Sequence, residues 1–147
     1  MYIFDSREKK NDHVKAYFEK HGLEYRIEAL KAGDYMIDGG KVTVDRKASI
    51  EEISRNLTNP FDKRRFWNEV RLARELGLHL IVLIEAGKYK AVKDLAPWKS
   101  KYSPVRGGAL IREMEKLKHA YNVDFVFCSK RSTGRRIVEL LKEEGEK

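Results

Sequence analysis

At 147 residues with a formal net charge of +8, the chain has the length of one domain with a core of its own. Its 41% hydrophobic and 10% aromatic content argues against a disordered tail, and its single cysteine, Cys128, excludes an intrachain disulfide or a cysteine-based zinc site. No apolar run approaches a membrane span, and the charged start MYIFDSREKK lacks the apolar stretch of a signal peptide, so an intracellular protein (cytoplasmic, nucleoid-associated or nuclear) is expected. A pI near 9.5 suggests a polyanionic partner, nucleic acid ahead of an acidic membrane, although a surface made basic for solubility reads the same way.

In chain order, YIFDS reads as a short strand ending at Asp5, and residues 11–22 as a helix with the apolar stripe Val14, Tyr17, Phe18 and a stop at Gly22. Residues 24–30 form a second strand. GDYMI and KVTVDRK flank Asp38-Gly39-Gly40, which has the chemistry of a hairpin turn. Ser49 followed by Glu52 is a capping box that opens a helix over 50–57. After a loop around Asn59-Pro60, residues 62–77 have helical spacing through Phe66, Val70, Ala73 and Leu76. LHLIVLIE is a nearly continuous apolar run, as in a central strand covered on both faces. Residues 89–104 mix helix and loop. A helix over 106–121, a strand over 123–129 and a helix over 131–144 close the chain. Cys128 falls in that last apolar strand, where a buried, inert thiol is expected. The alternation implies an α/β fold, a mixed sheet of about six strands flanked by helices.

Residues 30–52 carry five carboxylates within this basic chain: Asp34, Asp38, Asp45, Glu51 and Glu52. A two-residue turn at Gly39-Gly40 pairs Asp38 with Lys41, sets Tyr35 opposite Val44, and places Asp34 directly opposite Asp45. Tyr35, Ile37, Val42 and Val44 then share a core face. Asp34, Met36, Thr43, Asp45 and Lys47 share the other. That second face suits the solvated side of an antiparallel sheet, yet like charges directly opposite one another repel. A divalent cation between them removes the conflict. All-oxygen ligands without His or Cys point to Mg²⁺ or Mn²⁺. Lys47, on the same side, can orient the attacking water or stabilise charge growing on a phosphate. This is the set of groups that phosphodiester hydrolysis requires. Glu51, at the second position of its helix, suits either the metal or the helix dipole; Glu52 belongs to the capping box.

The run GDYMI…VTVDRKASIE resembles the nuclease domain of the XPF/Hef family of structure-specific endonucleases. That family's pattern is Gly-Asp, a spacer, Glu-Arg-Lys, three residues, Asp. Gly33-Asp34, Asp45-Arg46-Lys47 and Glu51 fall in these places, with the two acid types exchanged at Asp45 and Glu51. DSRE (Asp5, Arg7, Glu8) looks like the family's first-strand motif, and later helices and strands are similar over nearly the whole chain. The resemblance implies a restriction-endonuclease-like core of the PD-(D/E)XK class and a Mg²⁺-dependent endonuclease cutting branched DNA. It implies Asp34, Asp45 and Glu51 at the metal, Lys47 at the nucleophile, and Arg46 supporting the site or touching phosphate. Asp5, Arg7 and Glu8 are possible site supports. Glu69 stands where the family often has a polar amide. A single nuclease domain over 1–147 is expected, without the helix-hairpin-helix or helicase domains the family often adds, so that a heterologous partner can supply DNA binding. Two further readings stay open: a silent DNA-binding or scaffold subunit, which would have lost its acids, and a Holliday-junction resolvase of the wider class, which would differ in substrate.

Candidate backbone contacts are Lys63, Arg64, Arg65 and Arg106, with Arg71, Arg74, Lys99, Lys101, Lys130, Arg131, Arg135 and Arg136 behind them. Trp98 and Tyr102 lie among lysines, suited to stack on a base but read first as core cover. Ala109, Leu110, Met114 and Leu117, with Ile137, Leu140 and Leu141, form two apolar stripes from which a homodimer is expected.

Overall fold

The computed structural model describes residues 1–145, with side chains through Lys142. Six strands form one sheet in the order β2-β1-β3-β4-β5-β6. They are β1 (Tyr2–Asp5), β2 (Tyr25–Glu28), β3 (Tyr35–Ile37), β4 (Val42–Lys47), β5 (His79–Glu85) and β6 (Asp124–Cys128). β1 and β2 are parallel, β3 runs antiparallel to both β1 and β4, and β4, β5 and β6 are parallel. Five helices flank this mixed sheet: α1 (Asp12–Lys20), α2 (Ile50–Thr58), α3 (Pro60–Glu75), α4 (Gly107–Tyr121) and α5 (Thr133–Gly145). The expected fold class is therefore the observed one.

β5 shows why its run is continuously apolar. Leu80, Val82 and Ile84 enter a core with α2, α3 and α4, while Ile81 and Leu83 enter a second core with α1 and α5. Each face of the sheet has its own helical layer. The stripes on α4 and α5 are taken up in the same way. Leu110, Met114 and Leu117 belong to the first core and Ile137, Leu140 and Leu141 to the second, each at most 6% exposed. These six residues are interior to one chain, so the dimerisation argument built on them fails.

The joint between α2 and α3 also differs from expectation. There is no loop at Asn59-Pro60, because Asn59 ends α2 and its side chain accepts the Phe61 and Asp62 amides to start α3. Pro60 sits at the first helical position, where its missing N–H leaves nothing unpaired. Residues 89–104 contain one short 3-10 turn, Val92–Leu95, and are otherwise irregular. No described helix is long and apolar enough to cross a membrane.

Candidate active site

The β3–β4 hairpin has the register its turn chemistry predicts. Tyr35 pairs with Val44 and Met36 with Thr43, and the Asp34 amide donates to the Val44 carbonyl at 2.7 Å. Asp34 lies just before the paired residues, and its carboxyl interacts with that of Asp45. The turn is wider than two residues. Gly40 N–H bonds back to the Ile37 carbonyl, and Gly39 takes φ +77°, which a side chain would resist. Asp38 and Lys41 turn outward to other strands, bonding Met1 and His79 through their backbones, rather than pairing with each other.

The acid-bearing face is not a solvated one. All six residues of β4 are buried, and α2 and α3 lie across Thr43, Asp45 and Lys47. Gly33, just before Asp34, is fixed by two constraints. Its φ is +78°, and a Cβ there would run into the Thr43 hydroxyl, which bonds the Ala32 carbonyl at 2.8 Å. Only glycine lets this segment close onto β4 and deliver Asp34 to the site.

Around Asp34 and Asp45 the electrostatics are crowded. Burial, then the neighbouring Asp45 charge, hold the Asp34 carboxyl well above the usual aspartate range. The bond from the Arg46 amide to Asp34 Oδ2, 2.8 Å, opposes this only in part. A third acid joins them. Glu69, on α3, accepts the Gly33 amide at 3.0 Å, and burial together with Asp45 pushes it up to about 8. Lys47 is the counterweight. Burial lowers it, but Asp45, Glu69, Glu52 and Asp34 outweigh that and keep it a cation, with Nζ 3.3 Å from Asp45 Oδ2. That oxygen is buried and, among the described residues, finds no hydrogen-bond partner.

The set fits a hard divalent cation by its chemistry: crowded, buried carboxylates that resist ionising together. Among the described residues, no group of three or more His, Cys, Asp or Glu side chains is arranged to hold a metal ion. Mg²⁺ is usually held by one or two carboxylates, with solvent and substrate phosphate completing the shell, so the Asp34–Asp45 pair suffices in kind.

The other site residues expected from sequence fall in three places. Arg7 and Arg65 are exposed at the rim, Arg7 with Asp34 and Arg65 between Glu69 and Lys47. Asp5, Glu8 and Arg46 are structural neighbours of the site. Asp5 accepts the Leu30 amide and the Arg7 guanidinium. Arg46 projects to the opposite face of the sheet from Asp45, where it pairs with Glu8 at 2.9 Å and Glu85 at 2.6 Å. Glu85 is held below the usual range: burial would raise it, but bonds from Thr133, His13 and Arg46 prevail. Glu51 stands apart from the carboxylate cluster, its two oxygens taken by the Ser100 hydroxyl at 2.9 Å and the Lys101 amide at 2.8 Å. Glu52 Oε1 accepts the Ala48 amide while its own amide bonds Ser49, as a capping residue should.

The basic residues divide likewise. Lys63 pairs with Glu113 at 3.6 Å, and Arg64 lines a separate shallow groove with Trp67 and Arg71. Arg106 precedes α4 and faces Lys99 across the neck of a loop. Trp98 packs on the first core as expected, but Tyr102 is 83% exposed. Cys128 is buried against Thr133, and burial raises its thiol.

The fold is shared with known proteins. The chain belongs to the ERCC4 domain family. The match runs over residues 4–140, nearly the whole length, and the family is one of nuclease domains. Among solved structures, the chain is similar to XPF from Aeropyrum pernix, with a TM-score of 0.72 at 21% identity, covering 97% of this chain and 63% of that one. A second structure of that protein, in complex with DNA, gives a TM-score of 0.73 at 19% identity, with 99% and 64% covered. At such identities the likeness establishes an XPF-like nuclease fold. The chain spans under two thirds of that protein's length. No curated protein matches the chain.

Sequence reasoning gave Glu69 no role. Its signal was present: it lies on the same side of α3 as Phe66, Val70 and Ala73, so an acid there faces inward.

Proposed function

We propose that this chain is a divalent-metal-dependent endonuclease acting on branched DNA, its nuclease domain spanning residues 1–147. The observation that carries the reading is the convergence of Asp34, Asp45 and protonated Lys47 beside one another, with the buried Asp45 Oδ2 ion-paired to Lys47. Asp34 and Asp45 would hold Mg²⁺ or Mn²⁺. Bound there, the ion supplies Lewis-acid polarisation of the phosphoryl oxygen and a more acidic attacking water. Lys47, kept cationic, donates to the phosphate oxygen on which charge grows. Glu69 fixes Gly33 through its amide, and the Asp45 carboxylate is the main charge that keeps Lys47 protonated. Arg7 and Arg65 at the rim suit flanking phosphates. Arg46, with its ion pairs to Glu8 and Glu85, supports the strand rather than touching substrate.

Self-association belongs to the same proposal, on other residues than the buried stripes. The outer face of α4 presents Ile111 and Ala120 in an apolar groove, and β6 is an open sheet edge. A second copy, or a heterologous partner bringing further DNA-binding surface, would cover them. Light scattering at micromolar concentration should return about twice 17.2 kDa for the homodimer.

The test is cleavage of labelled flap, fork and four-way-junction DNA in Mg²⁺ and in EDTA. Wild type should cut only with metal. Lys47→Ala should lose cleavage while binding DNA within a few-fold of wild type. An Asp34→Ala protein that cuts at the wild-type rate would overturn the assignment.

A further inference from the structure

The segment between the 3-10 turn and α4 is a built loop. Trp98 anchors its start in the first core, and the Gly107 amide bonds the Trp98 carbonyl at 2.7 Å. Lys99 and Arg106 form an antiparallel bridge, and the Ser100 amide bonds the Val105 carbonyl at 3.0 Å. Inside this neck the Ser100 hydroxyl accepts the Tyr102 and Ser103 amides, both at 3.1 Å. The same hydroxyl donates to Glu51, whose second oxygen accepts the Lys101 amide.

Glu51 lies four residues beyond Lys47, at the second position of the helix that β4 feeds. A loop 49 residues further along is thus fastened to the first turn of the helix that follows the catalytic strand. What it displays is specific in kind: Lys99, Lys101 and Arg106 are exposed, and Tyr102 is 83% exposed at the tip. A tyrosine that open, at the tip of a hydrogen-bonded loop, buries little in this chain. Held among three cations, it has the composition of a stacking platform for an unpaired base on a phosphate strand.

We propose that the Ser100–Val105 loop grips a single-stranded arm of branched DNA, with Tyr102 stacking on a base and Lys99, Lys101 and Arg106 on its phosphates, and that Glu51 is the positioning residue that sets this grip relative to the catalytic strand. The proposal rests on the endonuclease reading and specifies its substrate. It assigns Glu51 to substrate placement rather than to the metal.

The experiment measures fork DNA binding by fluorescence anisotropy in EDTA, against fully paired duplex, and melting with and without Mg²⁺. Tyr102→Ala should weaken fork binding by roughly 5- to 150-fold, the range of one lost base stack, and duplex binding far less; Tyr102→Phe should restore it. Lys101→Ala should lower the salt dependence by about one phosphate contact. Glu51→Ala should weaken fork binding comparably, and Tyr102→Ala added to it should weaken binding little further, because both act through one loop. Glu51→Gln, which keeps a side-chain acceptor, should recover most of the affinity. The Mg²⁺-induced rise in melting temperature should be the same in Glu51→Ala and wild type. Loss of that rise would place Glu51 at the metal and overturn the assignment. A wild type that binds forks while Tyr102→Ala binds equally well overturns the loop alone. A wild type that neither binds nor cuts branched DNA overturns the endonuclease reading and this one with it.

Discussion

Asp34→Asn isolates the electrostatic conflict on which the site is built. Asp34, at the end of the hairpin, feels the Asp45 charge directly, and like charges on neighbouring strands destabilise the pair by roughly 0.2–1 kcal/mol. Glu69 adds to the crowding, so the upper end of that range, about 1 kcal/mol, is the expected relief. The substitution preserves the one contact that favours the carboxylate, because an amide oxygen can still accept the Arg46 N–H. Asp45→Asn is a poorer probe, since it also removes the 3.3 Å partner of Lys47. For a domain of this size 1 kcal/mol is about 2–4 °C, so in EDTA near pH 8 the mutant should melt that much above wild type. The sign follows the pKa. Asp34 is raised above its ordinary 3.8, so its contribution is fully present below that value and is lost as pH rises through the raised one. The gap between the proteins should therefore be near zero in acid and open with increasing pH. Metal inverts the order. A ligand at 100 times its Kd stabilises the folded form by about 2.7 kcal/mol, or about 5–11 °C, and the mutant should gain little of it. Differential scanning calorimetry across pH, with EDTA or Mg²⁺, reads all of this. A mutant that melts several degrees low in EDTA, or that gains as much from Mg²⁺ as wild type, would refute the reasoning.

Three other perturbations test the surrounding structure. Arg46→Met leaves Glu8 and Glu85 buried without their cation; breaking buried pairs in this way costs about 3–5 kcal/mol, a melting loss of roughly 6–20 °C by calorimetry. Gly33→Ala meets both a disfavoured φ and the Thr43 hydroxyl, so urea unfolding should show a loss of about 1–3 kcal/mol, accompanied by loss of cleavage. Glu69→Gln keeps an acceptor for the Gly33 amide but removes a carboxyl raised to about 8. Wild type in EDTA should lose stability as pH rises through that value, and a pH series of melts should show a smaller loss for the mutant.

How much of this was legible in the sequence follows from the range of each interaction. The hairpin register was legible because turn glycines and two-residue alternation act within about ten residues. The same alternation put Arg46 on the reverse of Asp45, but nothing local named Glu85, 39 residues away, as its partner. Helical periodicity showed that Leu110, Met114 and Leu117 must be covered. It did not say by what, and the sheet, having two faces, covered both stripes where a second chain was expected. Glu69 was readable as inward-facing, but which strand α3 would cross was not. Glu51 illustrates the limit most clearly. Its spacing from Lys47 fits a metal motif, and its actual partners arrive from a loop whose path depends on the packing of Trp98 and Leu95 in the first core.

The two faces of β4 are energetically linked, and that link explains why a destabilised acid pair persists at the centre of a stable sheet. Asp34 Oδ2 is held by the Arg46 amide, while the Arg46 side chain, on the other face, is clamped by Glu8, Glu85 and the Lys9 carbonyl. Glu8 also accepts the Tyr35 hydroxyl, so the residue after Asp34 is tied to the same network. His13 and Thr133 complete Glu85 from α1 and α5. Bonds from both ends of the chain therefore fix the backbone on either side of the opposed carboxylates. Repulsion between them cannot be relieved by slipping the register, since a one-residue slip would turn Arg46 away from its acids and Val44 out of its core. The conflict is held in place, leaving protonation, or a cation between the carboxylates, as its relief.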